Sequence, residues 1–223
     1  MRTLLLAAGL LALPLNAGAV LINVDYTGRV TTDNGLGLPN GTTVAGTLTY
    51  DTNLLGADLD LSPSVSTYGL GQFVSGYVPS GAPGFGKDHL YFFDQAYGGF
   101  LDRFEIGDAV EYAEDDGAGT TYNLQQEIGI TALASDALQN FIVGDSVFQP
   151  FTLTAADDLA DFSAFLSRQE IRTVNHETTL VAFQFAVVSL DRLSVSAVAV
   201  PEPGTLMLLS FGLAALRLTR RRR

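Results

Sequence analysis

Carboxylates are the side chains of this sequence that occur in groups suited to chemistry. One group is Asp58 with Asp60, a second is Glu111 with 114–116, and a third is 157–161. Two carboxyl groups about 5 to 10 Å apart can serve as the acid and base of a glycoside hydrolase. Sequence spacing does not show which carboxylates meet in space, so an exported polysaccharide hydrolase remains the alternative function.

Calcium is the other ligand that these acidic groups suggest. It takes about six to eight oxygen ligands, which spaced carboxylates in glycine-rich loops can provide. The acids at 114–116 are contiguous, however, and do not follow the alternate spacing of an EF-hand loop. Solvated turns explain them better, so we predict no metal site and no other cofactor.

Other catalytic patterns are absent from the sequence. It has two histidines, His89 and His176, which we interpret as strand or turn residues rather than as halves of a catalytic pair. It contains no nucleophile elbow, zinc-binding helix motif or phosphate-binding loop. The absence of cysteine excludes thiol catalysis, thiolate metal sites and disulfides. We therefore predict a non-enzymatic protein.

Residues 20–199 are long enough for one domain with a substantial core. They carry 23 acidic residues against 6 basic ones, a net charge of −17. Nucleic acid and anionic membrane surfaces are poor partners for such a body, because both are polyanions.

Alternation of apolar and polar residues dominates this domain. Around Val24 and again around Leu48 it predicts two strands, and the Asn-Gly and Pro-Asn-Gly turns between them predict a hairpin with a long loop. Similar patterns predict further strands at 72–78, 89–94, 103–106, 127–134, 148–154, 179–188 and 192–198.

About nine short antiparallel strands separated by turn residues are typical of a β-sandwich. We therefore expect an all-β fold. One segment departs from the pattern: Thr154 and the acids that follow it resemble the start of a helix, which predicts a short helix through Phe162.

The N-terminus has the three parts of a secretory signal peptide. Arg2 supplies the positive charge, 4–15 form a short apolar segment, and Ala17 and Ala19 fit the small residues of a cleavage site. We expect cleavage between Ala19 and Val20. The segment 1–19 is therefore predicted to direct export and to be removed.

The C-terminus has a second three-part signal at 200–223. A short extended motif is followed by an apolar segment at 206–218 and by a terminal basic cluster. As a helix, 206–218 would be about 20 Å long, shorter than a hydrocarbon core of about 30 Å, so we expect a weak, transient membrane anchor. The motif residues are Val200, Pro201, Glu202, Pro203 and Thr205, and the basic cluster is Arg220, Arg221, Arg222 and Arg223.

This tail resembles the PEP-CTERM sorting domain of exopolysaccharide-producing Gram-negative bacteria. The resemblance covers 200–223 and rests on the intact Pro201-Glu202-Pro203 and the order of the three parts. It implies that the partners are the secretion machinery and an exosortase, which recognises the motif and removes the tail. It also implies transient anchoring in the inner membrane, followed by release to the cell surface or the extracellular space.

For the domain at 20–199 we expect a structural or binding role in an exopolysaccharide layer or biofilm. Exposed aromatic residues, for example Tyr91, Tyr97 and Phe100, would favour carbohydrate binding. A cleft with two facing carboxyl groups would favour the hydrolase.

Overall fold

The computed structural model describes residues 20–60, 65–77, 85–94, 101–115, 120–136, 139–143 and 148–198. Residues Leu21–Val198 form one compact unit of β-strands, with no helix among the described residues. The strands are β1 (Leu21–Asn34), β2 (Thr43–Asp51), β3 (Val65–Gly71), β4 (Val74–Ser75), β5 (Phe85–Gly86), β6 (Asp88–Phe93), β7 (Arg103–Asp115), β8 (Thr120–Ala134), β9 (Phe151–Thr154), β10 (Leu159–Val174) and β11 (Glu177–Val198).

The two predicted sorting signals lie outside the described residues. In the part of the chain that is described, no helix has the length and apolar character needed to cross a membrane.

All eleven strands belong to one antiparallel sheet. Its main path runs β3-β6-β7-β8-β10-β11-β1-β2-β4, while β5 pairs with β7 and β9 pairs with β11. The all-β prediction is confirmed, but the predicted sandwich is not, because the strands form one curled sheet instead of two stacked ones. Contacts across the concave side include Phe104 of β7 against Phe151 of β9, with ring centroids 5.3 Å apart.

The predicted hairpin of the first two strands is confirmed. β1 and β2 pair from Leu21 opposite Asp51 to Arg29 opposite Thr43. Gly41 closes the loop with a positive φ of 86° and donates its N–H to the Val30 carbonyl at 2.8 Å. Glycine adopts this backbone conformation without the steric cost that a side chain would add.

Several strands are longer than the alternation suggested. The patterns at 103–106 and 127–134 mark only parts of β7 and β8, which have 13 and 15 residues. The patterns at 179–188 and 192–198 belong to a single strand, β11, of 22 residues. Between 72 and 78 the described strand is limited to Val74–Ser75, and β3 before it was not among the predicted strands.

The predicted helix from Thr154 to Phe162 is wrong. The Thr154 N–H and hydroxyl donate to one Asp157 carboxylate oxygen at 2.5 and 3.0 Å, and the Asp157 N–H donates back to the Thr154 carbonyl at 3.0 Å. The capping chemistry read from the sequence thus forms a turn. Directly after it, β10 pairs with β8 from Leu159 to Val174, and this long pairing overrides the local helix signal.

The concave face of the sheet forms the hydrophobic core. Phe92 and Phe104 are fully buried there, with ring centroids 5.4 Å apart. Burying a side chain of this size stabilises the fold by about 1.5 to 3 kcal/mol. Other fully buried side chains come from most strands of the sheet: Ile22, Leu48, Tyr50, Leu90, Ile106, Ile128, Ile130, Leu190 and Leu193.

Candidate functional site

The predicted acidic groups mostly stabilise turns and strand ends. One Asp58 carboxylate oxygen accepts the N–H groups of Asp60 and Thr67 at 3.0 and 2.9 Å. Glu111 forms an ion pair with Lys87, which lies between β5 and β6. The side chains at 114–116, which would have to complete a calcium site with Glu111, are outside the described part.

The third acidic group is also engaged in local structure. Asp157 closes the turn after β9, Asp158 has a positive φ of 51°, and Asp161 accepts a hydrogen bond from the Ser163 hydroxyl at 2.7 Å. Among the described residues, no three His, Cys, Asp or Glu side chains are grouped in a way that could hold a metal ion.

Calcium is therefore expected to change the thermal stability of the exported protein very little. An ion that binds only the folded state raises the melting temperature, and the rise grows with the logarithm of its affinity. Differential scanning fluorimetry with calcium, and with magnesium as the control cation, measures this. A rise of many degrees with calcium alone would contradict the prediction.

The two histidines occupy a strand and a turn, as predicted. His176 has a positive φ of 68° in the turn between β10 and β11. His89 lies on β6, and its Nε2 is 3.4 Å from Glu105 Oε1. Burial raises the pKa of Glu105, but the neighbouring His89 and Arg103 side chains more than offset this and hold the pKa below its ordinary value.

Four aspartates are buried in the part of the chain that the structure describes, and the sequence interpretation missed them: Asp88, Asp94, Asp102 and Asp108. Asp88 Oδ2 accepts the N–H groups of Phe73 and Val74 at 2.6 and 2.7 Å, and its Oδ1 accepts that of Ala109 at 3.1 Å. Asp108 Oδ2 accepts the Tyr77 N–H at 2.8 Å. These two carboxylates connect the segment around β4 with the strands β6 and β7. We therefore assign them a structural role.

A sequence signal for these buried carboxylates does exist. Asp88 alternates in phase with Leu90 and Phe92, and Asp108 alternates in phase with Ile106 and Val110, all of which face the core. A carboxylate at such a position must be bonded when the strand folds, because an unpaired buried charge is costly.

The convex side of the sheet, which we call the outer face, carries a grouped set of aromatic side chains. On β6 the ring of Tyr91 lies 5.5 Å from that of His89 and 6.3 Å from that of Phe93. Arg103 places its guanidinium carbon 5.9 Å from the centre of the Phe93 ring. We call His89, Tyr91 and Phe93 the β6 ring row.

A second group of rings lies on β10 and β11. Phe165 and Phe185 are stacked with centroids 5.7 Å apart and planes inclined by 26°, and Phe183 lies 5.5 Å from Phe185. Phe165 and Phe183 are 38% and 43% exposed, which is high for phenylalanine. We call these three residues the phenylalanine cluster.

Strand register places the two ring groups on the same face with glycines between them. His89 is opposite Gly107, Gly107 is opposite Gly129, and Gly129 is opposite Phe165. From β6 to β10 this row crosses three strand spacings, or about 14 Å. The outer face therefore has a shallow trough with a ring group on each side.

The two glycines differ in the space above them. A Cβ atom added at Gly107 would lie 2.1 Å from the His89 ring, so that ring already covers this position. At Gly129 the nearest side-chain atom within 4 Å would be Glu127 Oε1, at 3.9 Å. The trough is thus open above Gly129, next to Phe165.

Polar side chains lie in the rows on either side of the trough. Register puts Gln125 opposite Gln169, Glu127 opposite Ser167, and Glu105 opposite Thr131. Flat apolar rings can stack on the C–H face of a sugar ring, and amide and carboxylate groups can bond its hydroxyls. This arrangement suits an extended glycan that lies on the surface.

Of the residues predicted for carbohydrate binding, Tyr91 lies in the β6 ring row. Tyr97 and Phe100 lie outside the described residues, as do the motif at 200–205, the arginines at 220–223, and Ala17 and Ala19. The phenylalanine cluster was missed, because Phe165, Phe183 and Phe185 come together only through the pairing of β10 with β11.

Comparison with known proteins identifies the C-terminal tail. Residues 199–223 match the family model of the PEP-CTERM protein-sorting motif. No curated protein and no solved structure matches the chain significantly. The motif confirms the resemblance seen in the sequence, and it indicates an exported protein that an exosortase sorts to the cell surface or the extracellular space.

Proposed function

We propose that this exosortase-sorted protein is a non-enzymatic binding module that holds a neutral polysaccharide on its outer face. The observation that carries the proposal is the pair of ring groups, the β6 ring row and the phenylalanine cluster, on either side of the open position at Gly129. Exopolysaccharide is the ligand class that fits both this surface and the sorting of the protein out of the cell.

Charge supports a neutral glycan in preference to an anionic one. The whole chain has a net charge of −12, and its mature body is still more acidic. Glu105, Glu111 and Glu127 lie on the outer face itself. A polyanionic polysaccharide would be repelled at low ionic strength, whereas a neutral one would not.

Sorting completes the proposed path. The signal peptide at 1–19 would direct export, and the segment at 206–218 with its arginines would hold the protein briefly at the inner membrane. Exosortase would then remove the tail beyond the motif, and the β-domain would enter the extracellular polysaccharide. The match of 199–223 to the sorting motif supports this sequence of events.

Removing two exposed rings tests the binding role. The double variant Phe165→Ala with Phe183→Ala is expected to weaken binding to a neutral glucan about tenfold or more, since aromatic stacking contributes about 0.5 to 1.5 kcal/mol per ring. Affinity electrophoresis of the exported protein in gels containing hydroxyethyl cellulose measures the change. Alginate, which is anionic, should retard neither form.

Two further variants sharpen the test. Leu54→Ala removes an apolar side chain that is 61% exposed, in the turn after β2, and should leave binding unchanged. Gly129→Leu should fill the open position without a clash and abolish binding. Equal retardation of the wild type and all variants, or no retardation in any neutral glycan, would contradict the proposal.

A further inference from the structure

One stretch of β11 has an open edge. From Glu177 the strand pairs with β10 on one side, whereas its pairing with β1 on the other side begins only at Phe185, opposite Asn34. No described strand pairs with the second side of Glu177–Phe183. Its backbone N–H and C=O groups on that side are available to another strand.

The β3 edge of the sheet, by contrast, is protected. At β3, the Thr67 N–H donates to Asp58 Oδ1 and the Thr67 carbonyl accepts the Leu59 N–H, both at 2.9 Å. These bonds occupy the backbone groups that would otherwise bind a further strand, which is a common way to prevent edge-to-edge association. The contrast makes the open edge of β11 the better interaction surface.

The side chains of the open edge are apolar and exposed. Leu180, Val181 and Phe183 are 56%, 53% and 43% exposed. Between Thr178 and Leu190 the sequence has no charged residue, no proline and no glycine, although the chain as a whole is strongly acidic. Uncharged, β-favouring edges of this kind pair with other strands.

Charge and symmetry indicate what the other strand is. A second copy of this chain carries the same negative charge, so two copies can approach only where neither is charged. The open edge meets that condition from Thr178 onward. An antiparallel strand is also self-complementary about a two-fold axis, and such contacts are typical of homodimers.

We propose that two copies of the protein pair antiparallel through Glu177–Phe183, with the two-fold axis near Leu180. Val181 forms a bulge in the pairing with β10, because Ile171 is opposite Leu180 and Glu170 is opposite Ala182. A bulge increases the local twist and keeps the new pairing short. Because the contact uses the same edge in both copies, it produces a dimer and not a fibre.

The dimer would join the two outer faces. An axis perpendicular to the sheet leaves both faces on the same side, with the phenylalanine cluster of each copy next to the interface. Two linked binding surfaces bind a polymeric ligand more tightly than one does. The dimer itself does not depend on the glycan proposal, and each can fail without the other.

Sedimentation velocity of the exported protein over a range of concentrations tests the dimer. The wild type should shift from monomer to dimer as concentration rises. Leu180→Lys, which places like charges opposite each other at the axis, should weaken association about tenfold or more. Leu54→Lys, the same change at a remote leucine of similar exposure, should leave it unchanged. A monomeric wild type, or a dimer that Leu180→Lys leaves intact, would overturn the proposal.

Hydrogen exchange identifies the occupant of the edge. Protection of the amides at 178–183 that increases with protein concentration supports a second copy. Protection that is independent of concentration would show that another segment of the same chain covers the edge, and rapid exchange at every concentration would show that nothing does. Either of these two results would overturn the dimer.

Discussion

Replacing Pro201, Glu202 and Pro203 with alanine is expected to abolish processing of the C-terminal tail while export continues. The motif lies within the region that matches the sorting model, and the predicted signal peptide at 1–19 is untouched. The prolines hold the chain extended, which suits binding in the groove of a processing enzyme, and Glu202 supplies the one charge of this short motif. Alanines remove both features, so the exosortase should no longer recognise the tail.

The expected phenotype is retention at the inner membrane. The unprocessed variant keeps the apolar segment 206–218 and its arginines. The wild type should instead lose about 2 kDa, judged from a mean residue mass of 23.7 kDa over 223 residues. Cell fractionation and immunoblotting, with a tag inserted after Val20, detect the size and the location together.

A matched control separates loss of the motif from a general effect of alanine. Pro39→Ala with Asn40→Ala changes two exposed residues in the loop between β1 and β2 and should be processed like the wild type. If the triple variant is shortened and released like the wild type, the tail is not read as a sorting signal through this motif. If both variants are retained, the defect lies elsewhere than in the motif.

Local sequence patterns were sufficient to predict the features that depend on residues close together in the chain. The alternation around Val24 and Leu48 predicted β1 and β2, because residues that alternate in the sequence also alternate between the two faces of a strand. The tail could be recognised because a processing signal is read as an extended segment. The alternation of β1 and β2 and the motif of the tail both depend on neighbouring residues and not on long-range contacts.

The missed features depend on contacts between distant segments. The hydrogen bonds between Thr154 and Asp157 suit a helix cap as well as a turn, and only the pairing of β10 with β8 decides between them. The trough needs the register of four strands to place Gly129 between His89 of the β6 ring row and Phe165. Register across such distances is set by the whole sheet, so single-strand patterns do not predict it.

Asp88→Ala is expected to cause the largest loss of stability among single substitutions in the domain. The carboxylate is buried and accepts three backbone N–H groups, those of Phe73, Val74 and Ala109. Alanine would leave these three buried donors without their acceptor. Each unsatisfied donor costs about 1 to 3 kcal/mol, so the free energy of unfolding should fall by about 3 to 9 kcal/mol. Domains are typically stable by only about 5 to 15 kcal/mol.

Thermal unfolding of the exported protein measures this loss. For a domain of this size about 1 kcal/mol corresponds to about 2 to 4 °C, so a decrease of about 6 °C or more is expected. Asp25→Ala is the control, since Asp25 is exposed and accepts a hydrogen bond from the Thr47 hydroxyl at 2.5 Å. That change should cost less than about 0.5 kcal/mol. Equal losses for the two variants would show that the three buried bonds do not stabilise the fold.

Asp88→Asn removes the titrating charge but keeps one acceptor oxygen for the backbone N–H groups, so it gives a measurable result if the alanine variant fails to fold. Burial, reinforced by the charge of Asp108, raises the pKa of Asp88 above its ordinary value of 3.8, although the backbone hydrogen bonds oppose this. The folded state therefore holds its proton more tightly than the unfolded state, and the stability that this group contributes is lost as pH rises from about 3.8 through the raised pKa. An amide does not titrate in this range, so the stability advantage of the wild type over Asp88→Asn should shrink as pH rises through that window. Urea unfolding at a series of pH values measures the advantage, and one that grew with pH would show that the pKa of Asp88 is lowered by its three backbone donors instead.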